Sequence, residues 1–399
     1  MLKINKFDKE GKNKMRFKRA ILYLTIAVML LVAVGCQKSG SSSTSGGAAA
    51  TNNSAPVKLT WATAQTSTTP TYKDTMVPWA KWIEKKSGGR LQIQFQPDET
   101  VLKAPEILDG VKGGVADMGD FQMGIYAGRF PLNEYIMLPL LFEYPASRAA
   151  GLTATELVKK YPQLEKEFEA AGVKLLGFMP MGAGQIHTTK KPIRTMEDLK
   201  GVVIECHSGR YVTEAIKTLG ATPASISPAE GYDALAKGIV QGMIGEYEFA
   251  ISSGFYQLFN YTTEVGSLGM SFEAVVMNLD KWNSLPQDLQ QLLVGEGMKA
   301  FMEVHSYRTD KNEIAFREQI EQKYLKTGKD PIYVLPDAEK EKWEKIIKPS
   351  WDLWVKDAEA KGAPGKEILN DAINLAKKYA YDTYPKDYPE QMLKEWGQQ

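Results

Sequence analysis

Val57-Lys58-Leu59-Thr60-Trp61-Ala62, followed by Tyr72 to Lys86 and then Leu91-Gln92-Ile93-Gln94-Phe95, reads as strand, helix, strand. The middle segment places Trp79, Trp82 and Ile83 on one side at helical spacing. The third alternates apolar and polar residues with period two, as a half-buried strand does. Downstream, Ala104 to Gly113 reads as a helix ending at Gly113-Gly114, and Ala116 to Asp120 as a short strand leading to Gln122. Strand and helix therefore alternate, which predicts an α/β fold with mostly parallel sheet covered by helices.

A second unit begins near Gly182. Val202-Val203-Ile204 is a buried-type strand, Tyr211 to Leu219 a helix, Thr222 to Ile226 another strand segment. Pro228 opens a helix containing Tyr232 and Leu235, and Val240 to Ile244 is a further strand. Ala274-Val275-Val276-Met277 reads as a strand returning the chain to the first domain. Gln287 to Tyr324 contains no proline and is expected to form one or two long helices, with Gly295 and Gly297 as interruptions. Glu339 to Lys361 is expected to break or kink at Pro349. Gly362-Ala363-Pro364-Gly365 separates it from a last helix, Lys366 to Asp382.

Ahead of this body, Lys12, Lys14, Arg16, Lys18 and Arg19 lead into an apolar run from Ala20 to Val34. The run is short for a bilayer span and ends in the small residues Ala33-Val34-Gly35 before Cys36, as a cleaved secretory signal does. The Cys36 site resembles a bacterial lipoprotein box, which implies a lipid on that thiol; the competing reading is an ordinary N-terminal membrane anchor. Gln37 to Ser54 is Ser, Gly, Ala, Thr and Asn-rich without an aromatic residue, the composition of a flexible tether. The expected divisions are a signal peptide over 1–35 and a lipidated cysteine with linker over 36–56. Domain I is expected over 57–182 plus 270–305. Domain II and the C-terminal helices are expected over 183–269 plus 306–399.

Beyond residue 35 the chain has 41 Lys/Arg against 46 Asp/Glu, a net charge of −5, and no arginine-rich stripe with interleaved aromatics. That argues against nucleic acid as a partner. Cys206 is the sole cysteine besides Cys36, so no disulfide framework holds the body. A body this long can be stabilised by its apolar cores.

Several stretches, in order, resemble one family. They are Gly113-Gly114-Val115-Ala116-Asp117-Met118-Gly119, then Gly128-Arg129-Phe130-Pro131-Leu132 with Leu138-Pro139, and His187-Thr188-Thr189-Lys190-Lys191-Pro192-Ile193 before Met196-Glu197-Asp198-Leu199-Lys200-Gly201. The strongest block is Leu219-Gly220-Ala221-Thr222-Pro223 with Glu230, Tyr232, Ala234-Leu235, Gly238, Val240 and Gly242. Met277-Asn278 with Trp282-Asn283-Ser284-Leu285-Pro286, and Lys361-Gly362-Ala363-Pro364-Gly365-Lys366-Glu367, complete the set. Together they are similar to the TRAP-transporter solute-binding proteins, the DctP family.

The resemblance implies a two-domain, periplasmic-binding-protein-like fold with crossing strands and a long connecting helix. It implies capture of one small solute in the cleft by hinge closure, and delivery to a TRAP membrane permease driven by an ion gradient. No cofactor and no catalysis are implied. Relatives carry an arginine at the end of the strand after Asp-Leu-Lys-Gly, where it grips a substrate carboxylate; here the matching position is Glu205. A carboxylate there would repel an acid ligand. The solute is then an amine, a polyol or another hydroxyl-rich molecule, unless Arg210 swings into the cleft and restores binding of an organic acid.

Other ligand-binding candidates follow from the family pattern: Gln65 after the first strand, Gln122 and Tyr126 after the third, His207 beside Glu205, and Tyr247 and Glu248 after Val240–Ile244. Ligands of open α/β sheets lie beyond the carboxyl ends of strands, which is where these residues stand. An aromatic beside an acid suits a cation; Glu205, Glu246 and Glu248 could alternatively hold a metal ion. An enzyme is disfavoured. Cys206 and His207 are strand neighbours that point to opposite faces, and no His-Glu-x-x-His or Cys-x-x-Cys motif occurs. Trp343, Trp351 and Trp354 are either a packed helix face or a docking stripe. The alternative function is a ligand-loaded receptor signalling to a membrane sensor.

Overall fold

Eleven strands run through the computed structural model, which describes residues 55–206, 209–224, 226, 228–381 and 389–397. They are β1 (Val57–Ala62), β2 (Leu91–Gln96), β3 (Met118–Gln122), β4 (Val173–Ala183), β5 (Gln185–Thr188), β6 (Val203–Glu205), β7 (Thr222–Ala224), β8 (Gly242–Gly245), β9 (Tyr261–Glu264), β10 (Met270–Asn278) and β11 (Tyr333–Val334). They form two sheets. The first has the order β2-β1-β3-β10-β4, the second β11-β9-β5-β8-β6-β7.

In the first sheet β1 lies parallel to β2, with Val57 opposite Leu91, and parallel to β3. β10 then runs antiparallel to both β3 and β4. The second sheet is also mixed: β6 is parallel to β7 and β8, while β5 is antiparallel to β8 and β9. The helix Ile107–Lys112 sits so close to β3 that a Cβ on Gly119 would lie 2.7 Å from Ile107 Cγ2, so only glycine admits this packing.

The chain passes between sheets at Gly184, between β4 and β5, and again over residues 265–269, between β9 and β10. The two crossings bond to each other: Gly184 N–H donates to Gly269 O at 2.7 Å, and Leu268 N–H donates to Gly184 O at 2.9 Å. Two helices also span both sheets. Met298–Lys326, 29 residues and about 43 Å long at 1.5 Å per residue, buries Met298, Phe301 and Val304 in the first core and Ile320 and Tyr324 in the second. Gly295 and Gly297 fall in a π-helical turn, Leu292–Gly297, that leads into it, where the sequence predicted an interruption. Asp337–Ala360 is one helix with Pro349 inside, so of the expected break or kink the break does not occur.

Its halves serve different cores. Trp343 and Ile347 pack with Ile186, Ile204 and Ile244 of the second sheet, whereas Trp354, Val355 and Ala358 join Tyr135, Phe121 and Val276 of the first. The last long helix, Gly365–Lys378, adds Ile368 and Ala372 to that first core, and Trp396 packs beside Trp82. Of the described residues expected with the second half, Trp354, Val355, Ala358, Ile368, Ala372 and Trp396 thus pack in the cores of the first sheet. Helix periodicity shows that a face is apolar, but not which core buries it. The tryptophans are a packed face. Trp343 and Trp354 are fully buried, and Trp351 donates its indole N–H to Pro139 O at 2.9 Å.

Candidate functional site

Strand ends from both sheets converge on one polar network. From the first sheet, Gln65, three residues past β1, donates its amide to Glu273 on β10 at 3.2 Å. Gln122, the last residue of β3, donates to the Ser271 hydroxyl on β10 at 2.9 Å. Trp61 Nε1–H and the Thr63 hydroxyl both donate to Asp120, the latter at 2.9 Å. From the second sheet come Glu205 at the end of β6 and Glu246 just after β8; Ser271 donates a hydrogen bond to Glu246 and joins the two halves.

The long helix supports this point. The Glu313 carboxylate accepts from the N–H groups of Tyr247 (3.0 Å) and Glu248 (2.7 Å), the first residues of the helix Tyr247–Ser252. Those donors have no intrahelical acceptor and would otherwise be buried unsatisfied. One turn earlier, Asp310 does the same for Ser147 and Arg148, at 2.8 and 3.2 Å. One helix thus fixes a helix start in each half. At the crossing, a Cβ on Gly182 would lie 2.8 Å from Glu246 Cβ and 3.2 Å from Glu313 Cδ, so glycine admits both acids.

Burial dominates the electrostatics. It lifts Glu246 and Glu248 to about 7, with Glu248 and Glu205 adding to the shift at Glu246. Asp120 rises to about 6 despite its donors, again from burial. Glu273 is pushed well above the usual range by burial and by Asp120 beside it. Two carboxyl groups in contact can bond only if one keeps a proton, and Glu273 is the one that does. Glu313 is raised by burial and by Glu246. The largest influences on Asp120, Glu246, Glu248, Glu273 and Glu313 are burial, hydrogen-bond donors and neighbouring acids, not a lysine or arginine.

Not every candidate from the sequence stands in this network. Gln65, Gln122, Glu205 and Glu248 do. Tyr126 is locked in the first core, its hydroxyl donating to Ala104 O at 2.9 Å and accepting from Leu108 N–H. The Tyr247 ring is fully buried, and its hydroxyl donates to Glu264 at 2.9 Å. Arg210 is 54% exposed and pairs with Asp357 at 2.8 Å on the spanning helix Asp337–Ala360. His207 and Cys36 lie outside the described residues.

His187 is a core histidine. Its Nε2–H donates to Gly245 O at 3.2 Å, since a carbonyl can only accept, so Nδ1 accepts from Thr262 at 2.9 Å. Burial pushes it down to about 4, keeping it neutral. Cys206 packs in the apolar core with Ile204 and Val212.

Sequence reading missed Asp120, Ser271, Glu273 and Glu313. A signal existed for Glu273, an acid in the apolar run Phe272-Glu273-Ala274-Val275-Val276, where burial of a lone charge needs a reason. Glu313 gave none, because it is one of many charges on a long helix.

Two mixed sheets covered by helices, joined by paired crossing segments and with strand ends converging between them, define a two-domain α/β periplasmic-binding-protein fold. The chain belongs to the bacterial extracellular solute-binding proteins, family 7 (DctP), whose model matches residues 61–357. Members of this family are TRAP-type solute-binding proteins and not enzymes, and no helix among the described residues is long and apolar enough to cross a membrane.

One relative is the 2,3-diketo-L-gulonate-binding periplasmic protein YiaO of Escherichia coli, 26% identical over 55% of this chain and 65% of its own length. A TRAP periplasmic solute-binding protein from Desulfovibrio salexigens, an open complex with a symmetry mate's C-terminus in its ligand site, superposes with a TM-score of 0.71. It is 29% identical and covers 84% of this chain and 99% of its own. A Bordetella bronchiseptica homologue with bound (R)- and (S)-mandelate gives 0.72 at 26% identity, covering 81% and 99%.

Proposed function

We propose that this protein captures a small polar solute between its two sheets and, held to the membrane by a lipid on Cys36, hands it to a TRAP permease. One observation carries the site: Gln65 and Gln122 meet Glu205 and Glu246 through Ser271 and Glu273 of β10. Opening and closing take place at the paired crossings around Gly184 and Gly269, where among the described residues two short segments and two helices join the halves. In this reading Glu205, 3% exposed, faces the solute, and Arg210 stays with Asp357.

Native mass spectrometry of the exported protein is expected to show a co-purified small molecule. Glu205→Arg is expected to lose that solute by about tenfold or more in affinity, since a new buried cation reverses the local charge. Unchanged affinity would remove Glu205 from the site. The anchor is tested separately. A clickable fatty acid should label the wild type in its native membrane and leave Cys36→Ser unlabelled; equal labelling of both would exclude Cys36 as the lipid site.

A further inference from the structure

Two buried acids of this protein stand beside a cation. Glu264, 8% exposed, is held by Arg317 at 2.6 Å, and Glu303 lies 3.7 Å from Arg148. The strand-end network is built differently. Asp120, Glu248, Glu273 and Glu313 are buried there and Glu246 is half-buried; they come from both sheets and two helices, and their strongest neighbours are amides, hydroxyls and each other. The shared proton accounts for Asp120 with Glu273, and the two N–H donors account for Glu313. Glu246 has the Ser271 hydroxyl.

Glu248 is 7% exposed; the Asn312 side chain gives its carboxyl group one hydrogen bond, but its Oε2 is buried with no partner and no neighbouring acid shares a proton with it. A bare carboxylate oxygen in such a place bears its desolvation penalty unless something completes it. Folding did not select a lysine or arginine to do so. The position therefore suits a charge that arrives from outside.

The chemistry of that charge is constrained. Among the described residues no three Asp, Glu, His or Cys side chains converge closely enough to chelate a metal ion. The acids are strung along the network and not focused on a point. They are interleaved with Gln65, Gln122 and Ser271, which can bond hydroxyl or N–H groups. Spread carboxylates match a body with N–H donors pointing in several directions.

We propose that the solute is an organic cation, a protonated amine whose ammonium group is held by Glu248 and Glu246 and whose remainder is met by Gln122 and Gln65. This rests on the reading of the network as the ligand site. A carboxylate solute would add an anion to a region where acids already crowd one another, and each close like-charge pair opposes it.

The test is a thermal-shift and calorimetric screen of the exported protein in EDTA at pH 8. The panel holds primary, secondary and quaternary ammonium compounds, including 1,4-diaminobutane and spermidine, against polyols and carboxylates including mandelate. At least one ammonium compound should stabilise and bind. Glu248→Gln, which keeps shape and removes charge, should weaken it by about tenfold or more while the variant still melts cooperatively.

If no ammonium compound binds, the cation is wrong. Should a carboxylate or polyol bind instead, with affinity altered in Glu246→Gln, the ligand class falls and the site stands. A ligand of any class whose affinity is the same in wild type, Glu246→Gln and Glu248→Gln would overturn the site reading itself.

Discussion

Trp354→Ala should cost the protein about 3–5 kcal/mol, measured by urea unfolding at neutral pH. Trp354 is fully buried, lies edge-on to Tyr135 at 5.8 Å, and donates its indole N–H to Pro131 O at 2.9 Å. Alanine would leave a large cavity and an unpaired carbonyl. The site matters because the helix carrying it changes partners along its length, from the second core at Trp343 to the first at Trp354. A loss below about 1 kcal/mol would mean that the C-terminal helices are an appendage, contrary to their place in the core.

Glu246→Gln should act in the opposite direction and only at high pH. Burial lifts Glu246 from 4.5 to about 7, so the folded state holds a proton that the unfolded state gives up. Its favourable contribution is complete below pH 4.5 and is lost as pH rises through about 7, because stability falls with pH wherever the folded state binds more protons. The acids facing it come from every neighbouring element: Glu248 on its own helix, Glu205 on β6, Glu273 on β10 and Glu313 on the long helix.

A shift of that size is about 3 kcal/mol. Glutamine, which mimics the protonated acid, should therefore stabilise the ligand-free protein by about that amount at pH 8 and by almost nothing at pH 4. Equal stability of variant and wild type at both pH values would show Glu246 to be solvated. A gain in stability coupled to lost binding is what a site kept under electrostatic stress produces.

The periodicities in the sequence were enough for the elements. The alternating residues of Leu91–Phe95 became β2, the helical face of Trp79, Trp82 and Ile83 is buried, and the Gly113-Gly114 stop closes the helix Ile107–Lys112. Strand ends were legible too, and the family resemblance singled out Gln65, Gln122, Glu205 and Glu248 there, together with Tyr126 and Tyr247, whose hydroxyls are already taken. Local pattern reports which face of an element is apolar, because side-chain direction repeats with the backbone.

Distance along the chain hid the rest. Glu313 meets Tyr247 across 66 residues, Gln65 meets Glu273 across 208, and Arg210 is claimed by Asp357, 147 residues away. No periodicity encodes those pairings. Sequence by itself determined the α/β class, the succession of elements and the side chains waiting at the strand ends. Only the tertiary structure decided which acids share a site, which hydroxyl is already occupied, and which core each end of a spanning helix enters. The physical reason is that burial and partner charge, which set the state of Glu246 or Asp120, are properties of the surroundings and not of the residue.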